Sequence, residues 1–224
     1  MPASIGDNRR MALLVLAGPR RLAESRALGF KGLMARADEL VWAEIARHRD
    51  EADLESRDDV LSLLLQARHE DGAQMSDGEL RDELMTLLVA GHETTATALA
   101  WTLERLTRHP AALERTVAEA SDGGGPYTEA VVQESLRLRP VIPVVARHVK
   151  EPFELGDHLI PVGATITPSI LLMHRRPDVY PDPDAFRPER FLEQPPGTYT
   201  WIPFGGGVRR CIGASFALFE MRVV

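Results

Sequence analysis

The sequence predicts a mainly α-helical fold with small β-sheets, on three observations. Apolar residues recur at helical spacing through the chain up to Arg139. Twelve of the sixteen prolines fall between Pro140 and Pro203, which excludes a long helix there. Within that stretch, short β-prone runs are bounded by Gly, Asp and Pro, as short strands require.

The elements follow in order. Met11 to Gly18, preceded by Arg9 and Arg10, mimics a short signal-peptide core; with no clear small-x-small cleavage site it reads as a buried helix. Leu33, Ala37, Leu40, Val41 and Ile45 share one helix face. Val60, Leu61, Leu64 and Leu65 open another helix, with Ser56 as its capping-type residue. Ser76 and Glu79 form a capping box, and the helix it starts runs without a proline from Asp77 to Arg108, where His109-Pro110 ends it. At about 1.5 Å per residue that rod is on the order of 45 Å long. Shorter helices are expected over Ala111 to Ala120 and Tyr127 to Leu138, separated by Ser121-Asp122-Gly123-Gly124-Gly125-Pro126. Strands are expected at Ala146 to Lys150, Phe153 to Leu155, His158 to Ile160 and Ala164 to Thr167, and packed coil over Pro177 to Pro196.

The chain has 224 residues, of which 44% are hydrophobic and 26% charged, enough apolar content for a sizeable core. Its net charge of −7 argues against generic nucleic-acid binding, which needs a basic face. No apolar run reaches membrane-spanning length. No internal repeat or linker divides the chain, so residues 1–224 read as one unit.

Cys211 is the only cysteine, which excludes an internal disulfide and a multi-cysteine metal cage. It sits in Phe204-Gly205-Gly206-Gly207-Val208-Arg209-Arg210-Cys211-Ile212-Gly213. The glycines permit tight turns and close approach to a flat partner. The two arginines place positive charge beside the sulfur, and the apolar run Ile212 to Phe219 predicts a helix whose N-terminal end points at it. A thiolate so placed suits a haem iron that cleaves the O–O bond. In the long helix, Ala90-Gly91-His92-Glu93-Thr94-Thr95 sets a glycine and two β-branched threonines, three residues that weaken helix propensity, beside an acid. A threonine hydroxyl there can bond back to the carbonyl four residues earlier and distort the helix. Thr94 and Glu93 can relay protons, and Gly91 leaves room for a ligand. The plain alternative is a solvated Glu93 with threonines packed in the core. A zinc-protease H-E-x-x-H is excluded, because Ala96 stands at the second histidine position. Glu134 and Arg137 share a face of an otherwise apolar helix and must pair if buried.

These stretches resemble the cytochrome P450 family. The cysteine loop matches its F-x-x-G-x-R-x-C-x-G pattern at every fixed position, and residues 90–95 match its oxygen-activation motif [AG]-G-x-[DE]-T-[TS]. Glu134 to Arg137 resembles its E-x-x-R, and Pro188-Glu189-Arg190-Phe191 its P-E-R-F. The matches are collinear from about Asp77 to the end, residues 77–224, and imply the C-terminal portion of the cytochrome P450 fold. The helix that holds the haem's other edge, the loops roofing the substrate pocket and the closing strands have no counterpart, so a truncated domain is expected.

The resemblance implies haem b as cofactor, with Cys211 as iron ligand, Gly91 beside bound dioxygen, and Glu93 and Thr94 as catalytic acid and hydroxyl. It implies that Arg147 and Arg209 reach the haem propionates, that Phe204 shields the thiolate, and that Gly207 and Gly213 are cofactor-binding positions of the loop; the plain alternative for Arg147 is a solvated strand residue. Arg190 would complete a structural network with Glu134 and Arg137. The implied activity is a haem-thiolate monooxygenase that inserts one atom of O2 into an apolar small molecule, consistent with Val141, Ile142, Val144 and Val145 beside the implied pocket. The implied electron donor is a ferredoxin with its reductase, in the cytoplasm. The alternative is an inactive fragment that binds haem at most. A cysteine-nucleophile hydrolase would need a histidine base; His148 and His174 are present but lack a supporting motif.

Overall fold

The computed structural model describes residues 30–51 and 53–224. The Met11 to Gly18 run lies outside them. The described residues gather into two compact units, with the division at Leu88 and Val89.

In the first unit, α1 (Phe30–Arg49), a 3-10 turn (Leu54–Ser56) and α2 (Val60–Gln66) precede the first turns of α3 (Asp77–Arg108). Val41, Ile45, Leu61, Leu65 and Leu80 form its core. Leu40 does not join them: it is 67% exposed, because one helical step of about 100° turns it away from Val41 and Ile45. Asp59, not Ser56, caps α2: its Oδ1 accepts from the Ser62 amide at 3.0 Å and its Oδ2 from the Ser62 hydroxyl at 2.7 Å. Ser56 sits one turn too early and bonds Asp53 O instead. The capping box at α3 forms both ways, with the Ser76 amide 2.8 Å from Glu79 Oε2 and the Glu79 amide 3.3 Å from Ser76 Oγ.

In the second unit, α4 (Pro110–Ser121) and α5 (Pro126–Leu138) each begin with a proline, whose missing N–H costs nothing in the first turn. Glu119 accepts from the amides of Tyr127 and Thr128 at 3.0 and 2.6 Å and so completes the start of α5. Helix α5 is the buried centre, with Val131, Val132, Glu134, Ser135, Arg137 and Leu138 inaccessible or nearly so. Two small antiparallel sheets follow. Strands β1 (Arg147–His148) and β4 (Thr165–Ile166) pair with Arg147 opposite Ile166; β2 (Phe153–Leu155) and β3 (His158–Ile160) form a hairpin across Gly156-Asp157. The outer strands are shorter than their sequence suggests. Pairing continues only through single bonds such as Val149 N to Ala164 O at 2.9 Å, and Pro168 can supply no N–H.

Two helices interrupt the proline-rich stretch. Ser169 caps α6 (Ile170–Met173), and Pro188 stands at the N-cap of α7 (Glu189–Glu193), so the expectation of coil throughout Pro177 to Pro196 is corrected. A proline is compatible with a helix start, and only the interior forbids it. The last helix, α8 (Ala214–Val223), begins two residues later than Ile212.

Candidate functional site

The cysteine loop is closed by its own backbone. The Cys211 amide donates to Phe204 O at 2.9 Å, the Gly205 amide to Ile202 O at 2.9 Å, and the Arg210 amide to Gly207 O at 3.1 Å around a 3-10 turn at Gly207–Arg209. Gly205 and Gly207 adopt φ of 72° and 64°, where any other residue costs about 1–2 kcal/mol. The closed loop leaves Cys211 exposed, flanked by Val208 at 101% and Ile212 at 94% exposure. Gly213 precedes α8, and a Cβ there would sit 3.9 Å from the Cys211 sulfur. Among the described residues no amide of α8 bonds that sulfur, so the helix start lies near it without holding it.

Phe204 points inward. It packs with Ala98 of α3, Val132 and Leu136 of α5 and Met221 of α8, and meets the Trp201 ring edge-on at 6.1 Å. The Trp201 indole N–H donates to Gln133 O at 3.1 Å, which fastens the loop's base to α5. The long helix, the E-x-x-R helix and the loop thus share one apolar cluster.

Beneath the loop lies the charged network. Arg137 Nε donates to Glu134 Oε2 at 2.7 Å and its Nη2 to Oε1 at 2.9 Å. Arg190 Nε reaches the same Oε1 at 3.1 Å, and the Arg187 amide adds a bond of 2.9 Å. Both Glu134 and Arg137 are fully buried, and the remaining guanidinium protons go to carbonyls of His174, Pro183 and Ala185. The pairing implied by the sequence is therefore present as a satisfied buried network.

Gly91, Glu93 and Thr94 lie on exposed turns of α3, one to two turns before Ala98. Thr94 Oγ1 donates to Ala90 O at 2.6 Å. The helix is nonetheless uninterrupted from Asp77 to Arg108, so the threonine bond does not break it. Thr86 and Thr102 make the same kind of bond elsewhere on α3. A Cβ placed on Gly91 would meet nothing within 4 Å. Arg147 is exposed, and its Nη1 donates only to Ala146 O at 2.9 Å. Among the described residues neither Arg147 nor Arg209 is in an ion pair, and no hydrogen bond joins either of them, Glu93 or Thr94 to Cys211.

The residues present suit a haem. Among the described residues no three His, Cys, Asp or Glu side chains gather to hold a metal ion. Cys211 is an exposed thiol flanked by the exposed Val208 and Ile212, and among the described residues Arg147 and Arg209 have no acidic partner; these groups could serve as iron ligand, contact for a porphyrin and partners for propionates. A hydrolase reading finds no support at His174. That ring is fully buried, Nδ1 lies 3.1 Å from Arg137 O, and Nε2 accepts from the Ile202 amide at 2.8 Å, which leaves no free nitrogen to act as a base. This histidine's role was invisible to motif reading; its one signal is an imidazole at the end of the apolar run Ile170 to Met173.

Comparison with known proteins agrees with this geometry. The family model for cytochrome P450 matches residues 20–224. The chain is 47% identical over 219 residues to cytochrome P450 135B1 of Mycobacterium tuberculosis, covering 95% of this chain and 46% of that protein. It is 50% identical over 187 residues to cytochrome P450 137 of the same organism, covering 84% and 39% respectively. Among solved structures, a retinoic acid-bound cyanobacterial CYP120A1 superposes with a TM-score of 0.74 at 33% identity, over 84% of this chain and 48% of that one. The chain spans less than half the length of these relatives. A thiol on a clasped glycine loop, a buried Glu-Arg-Arg network beneath it and a family match across nearly the whole sequence lead to one assignment: the chain belongs to the cytochrome P450 family.

Proposed function

We propose that this chain carries the thiolate-bearing part of a haem-dependent monooxygenase that inserts one oxygen atom from O2 into an apolar small molecule. The observation that carries the reading is Cys211, exposed at the closing end of a loop clasped by its own backbone. Its sulfur serves as the iron ligand of haem b, with Phe204 shielding it and Gly207 and Gly213 keeping the loop narrow enough for a flat ring. Arg147 and Arg209, without ion pairs among the described residues, bind the propionates. When bound, a haem held through a thiolate supplies the reductive activation of dioxygen.

The remaining roles fall to α3. Gly91, where an added Cβ would meet nothing within 4 Å, would leave room on α3 for dioxygen. Thr94 Oγ1 spends its proton on Ala90 O, which turns its lone pairs outward as acceptors. Rotation of that hydroxyl would turn its hydrogen toward the site, and the exposed Glu93 carboxylate, once protonated from solvent, would return a proton to Thr94. The electron donor in this reading is a ferredoxin with its reductase, and the compartment is the cytoplasm. No described helix is long and apolar enough to cross a membrane.

A second reading, haem binding without turnover, is favoured by exposed apolar side chains such as Phe216 at 70% and Val89 at 69%. The test is a carbon-monoxide difference spectrum of the reduced, haem-supplied protein. A thiolate-type Soret band that Cys211→Ser abolishes is expected. Absence of that band in the unmodified chain would remove the monooxygenase reading, and a band without product from any apolar substrate would leave the second.

A further inference from the structure

We infer that His174 is a positioning residue for the thiolate loop: its imidazole ties the end of the E-x-x-R helix to the backbone entering that loop. The inference rests on the reading of Cys211 as an iron ligand. His174 follows α6 and is fully buried. One ring nitrogen, Nδ1, lies 3.1 Å from the carbonyl of Arg137 on α5, and the other, Nε2, takes the amide of Ile202 at 2.8 Å. A carbonyl can only accept and an amide can only donate. The ring therefore carries its hydrogen on Nδ1 and presents a bare Nε2.

Three further bonds make the tie directional. Arg137 Nη1 donates to the His174 carbonyl at 2.7 Å, so Arg137 and His174 clasp each other twice. Ile202 passes the constraint on: its carbonyl accepts from the Gly205 amide, and Phe204 O then accepts from Cys211. The path from the buried Glu134 carboxylate to the thiol is thus continuous through Arg137, His174, Ile202 and the loop backbone. Charged and titratable groups face the ring from several elements: Arg137 with its partner Glu134 on α5, and Tyr180, whose ring stands edge-on at 6.4 Å beneath the Arg190 guanidinium. The one carboxylate among them, Glu134, is taken by Arg137, Arg190 and the Arg187 amide and is not bonded to the ring. A proton on Nε2 would set donor against donor at Ile202.

The test begins with the unmodified protein. Nitrogen NMR of the His174 ring should show Nδ1–H and an unprotonated Nε2, and the Ile202 amide should exchange slowly. An Nε2–H tautomer would overturn the inference whether or not any variant folds. Three variants then separate positioning from packing. His174→Phe keeps the flat ring without its nitrogens. His174→Asn reaches only Arg137 O, and His174→Gln reaches Ile202 N. Phe and Asn should speed Ile202 exchange and lower the ratio of thiolate-type to other bound haem, each roughly tenfold, as expected for an orphaned buried amide. Gln should restore most of both. Wild-type values in the Phe variant would refute positioning. If the unmodified protein gives no thiolate-type band, the haem reading fails, and amide exchange decides the His174 tie by itself.

Discussion

Replacing Glu134 with glutamine removes one negative charge from a site that has room for nothing else. The carboxylate receives Arg137 twice, Arg190 once and the Arg187 amide once, over 2.7 to 3.1 Å. Glutamine keeps the shape but turns one acceptor into an NH2 that faces guanidinium donors. Arg137 at 0% and Arg190 at 8% exposure then hold two cations with no counter-charge. Breaking a buried pair in this way costs about 3–5 kcal/mol, whereas an exposed pair such as Arg187 with Glu193 is worth under about 1 kcal/mol. For a chain of this length, a loss of that size lowers Tm by roughly 6–20 °C. Urea unfolding followed by far-UV circular dichroism measures it, with Arg187→Met as the exposed control. A combined Glu134→Leu, Arg137→Met, Arg190→Met variant should lose less than Glu134→Gln alone, because no buried charge is left unpaired. A Glu134→Gln midpoint within the error of the control would refute the claim that this network is buried and coupled.

Other outcomes follow from the same geometry. Thr94→Ala should leave haem uptake and the thiolate-type band intact while uncoupling oxygen consumption from product; equal product per oxygen would remove the proton role of Thr94. Gly205→Ala, at φ 72°, should cost about 1–2 kcal/mol and raise haem loss, read from haem transfer to a scavenging globin; an unchanged rate would show that the loop tolerates the side chain. Burial, with the neighbouring Arg137 charge, pushes His174 down to about 4 from its ordinary value near 6.5, against the opposing bond to the Arg137 carbonyl. Between those values the unfolded chain binds a proton that the folded chain refuses. Stability is therefore full above about pH 6.5 and falls by of the order of 3 kcal/mol as pH drops toward 4. Urea midpoints from neutral to acid pH should show this slope in the unmodified chain and lose it in His174→Gln; an equal slope in both would assign the acid response elsewhere.

The residues that the sequence made legible are those whose chemistry is local. Helix α3 runs from Asp77 to Arg108 as read, because Ser76 with Glu79 starts it and His109-Pro110 stops it within a few residues of chain. The cysteine loop was legible for the same reason, since glycines, arginines and thiol are contiguous. Glu134 with Arg137 lie three apart on one helix, and Arg190 came from the resemblance. What escaped was decided at a distance or by a single position. Asp59 outcompeted Ser56 because only it lies three residues before the Ser62 amide. Helices α6 and α7 are single turns, too short for a periodic signal. His174 bonds residues far away in sequence, Arg137 and Ile202, and no spacing rule reaches that far. Leu40 failed because a face assignment needs to know which neighbour the helix meets.

The bond from the Cys211 amide to the Phe204 carbonyl has a consequence for how this segment tolerates change. A buckle fixes the circumference of whatever it closes. One residue inserted or deleted between Phe204 and Cys211 would break this closure or shift the sulfur relative to it. The same edit in the coil before Pro196 would be taken up before it reached Trp201, whose indole is moored to Gln133. Length variation among homologous chains should therefore pile up ahead of Trp201 and vanish after Phe204.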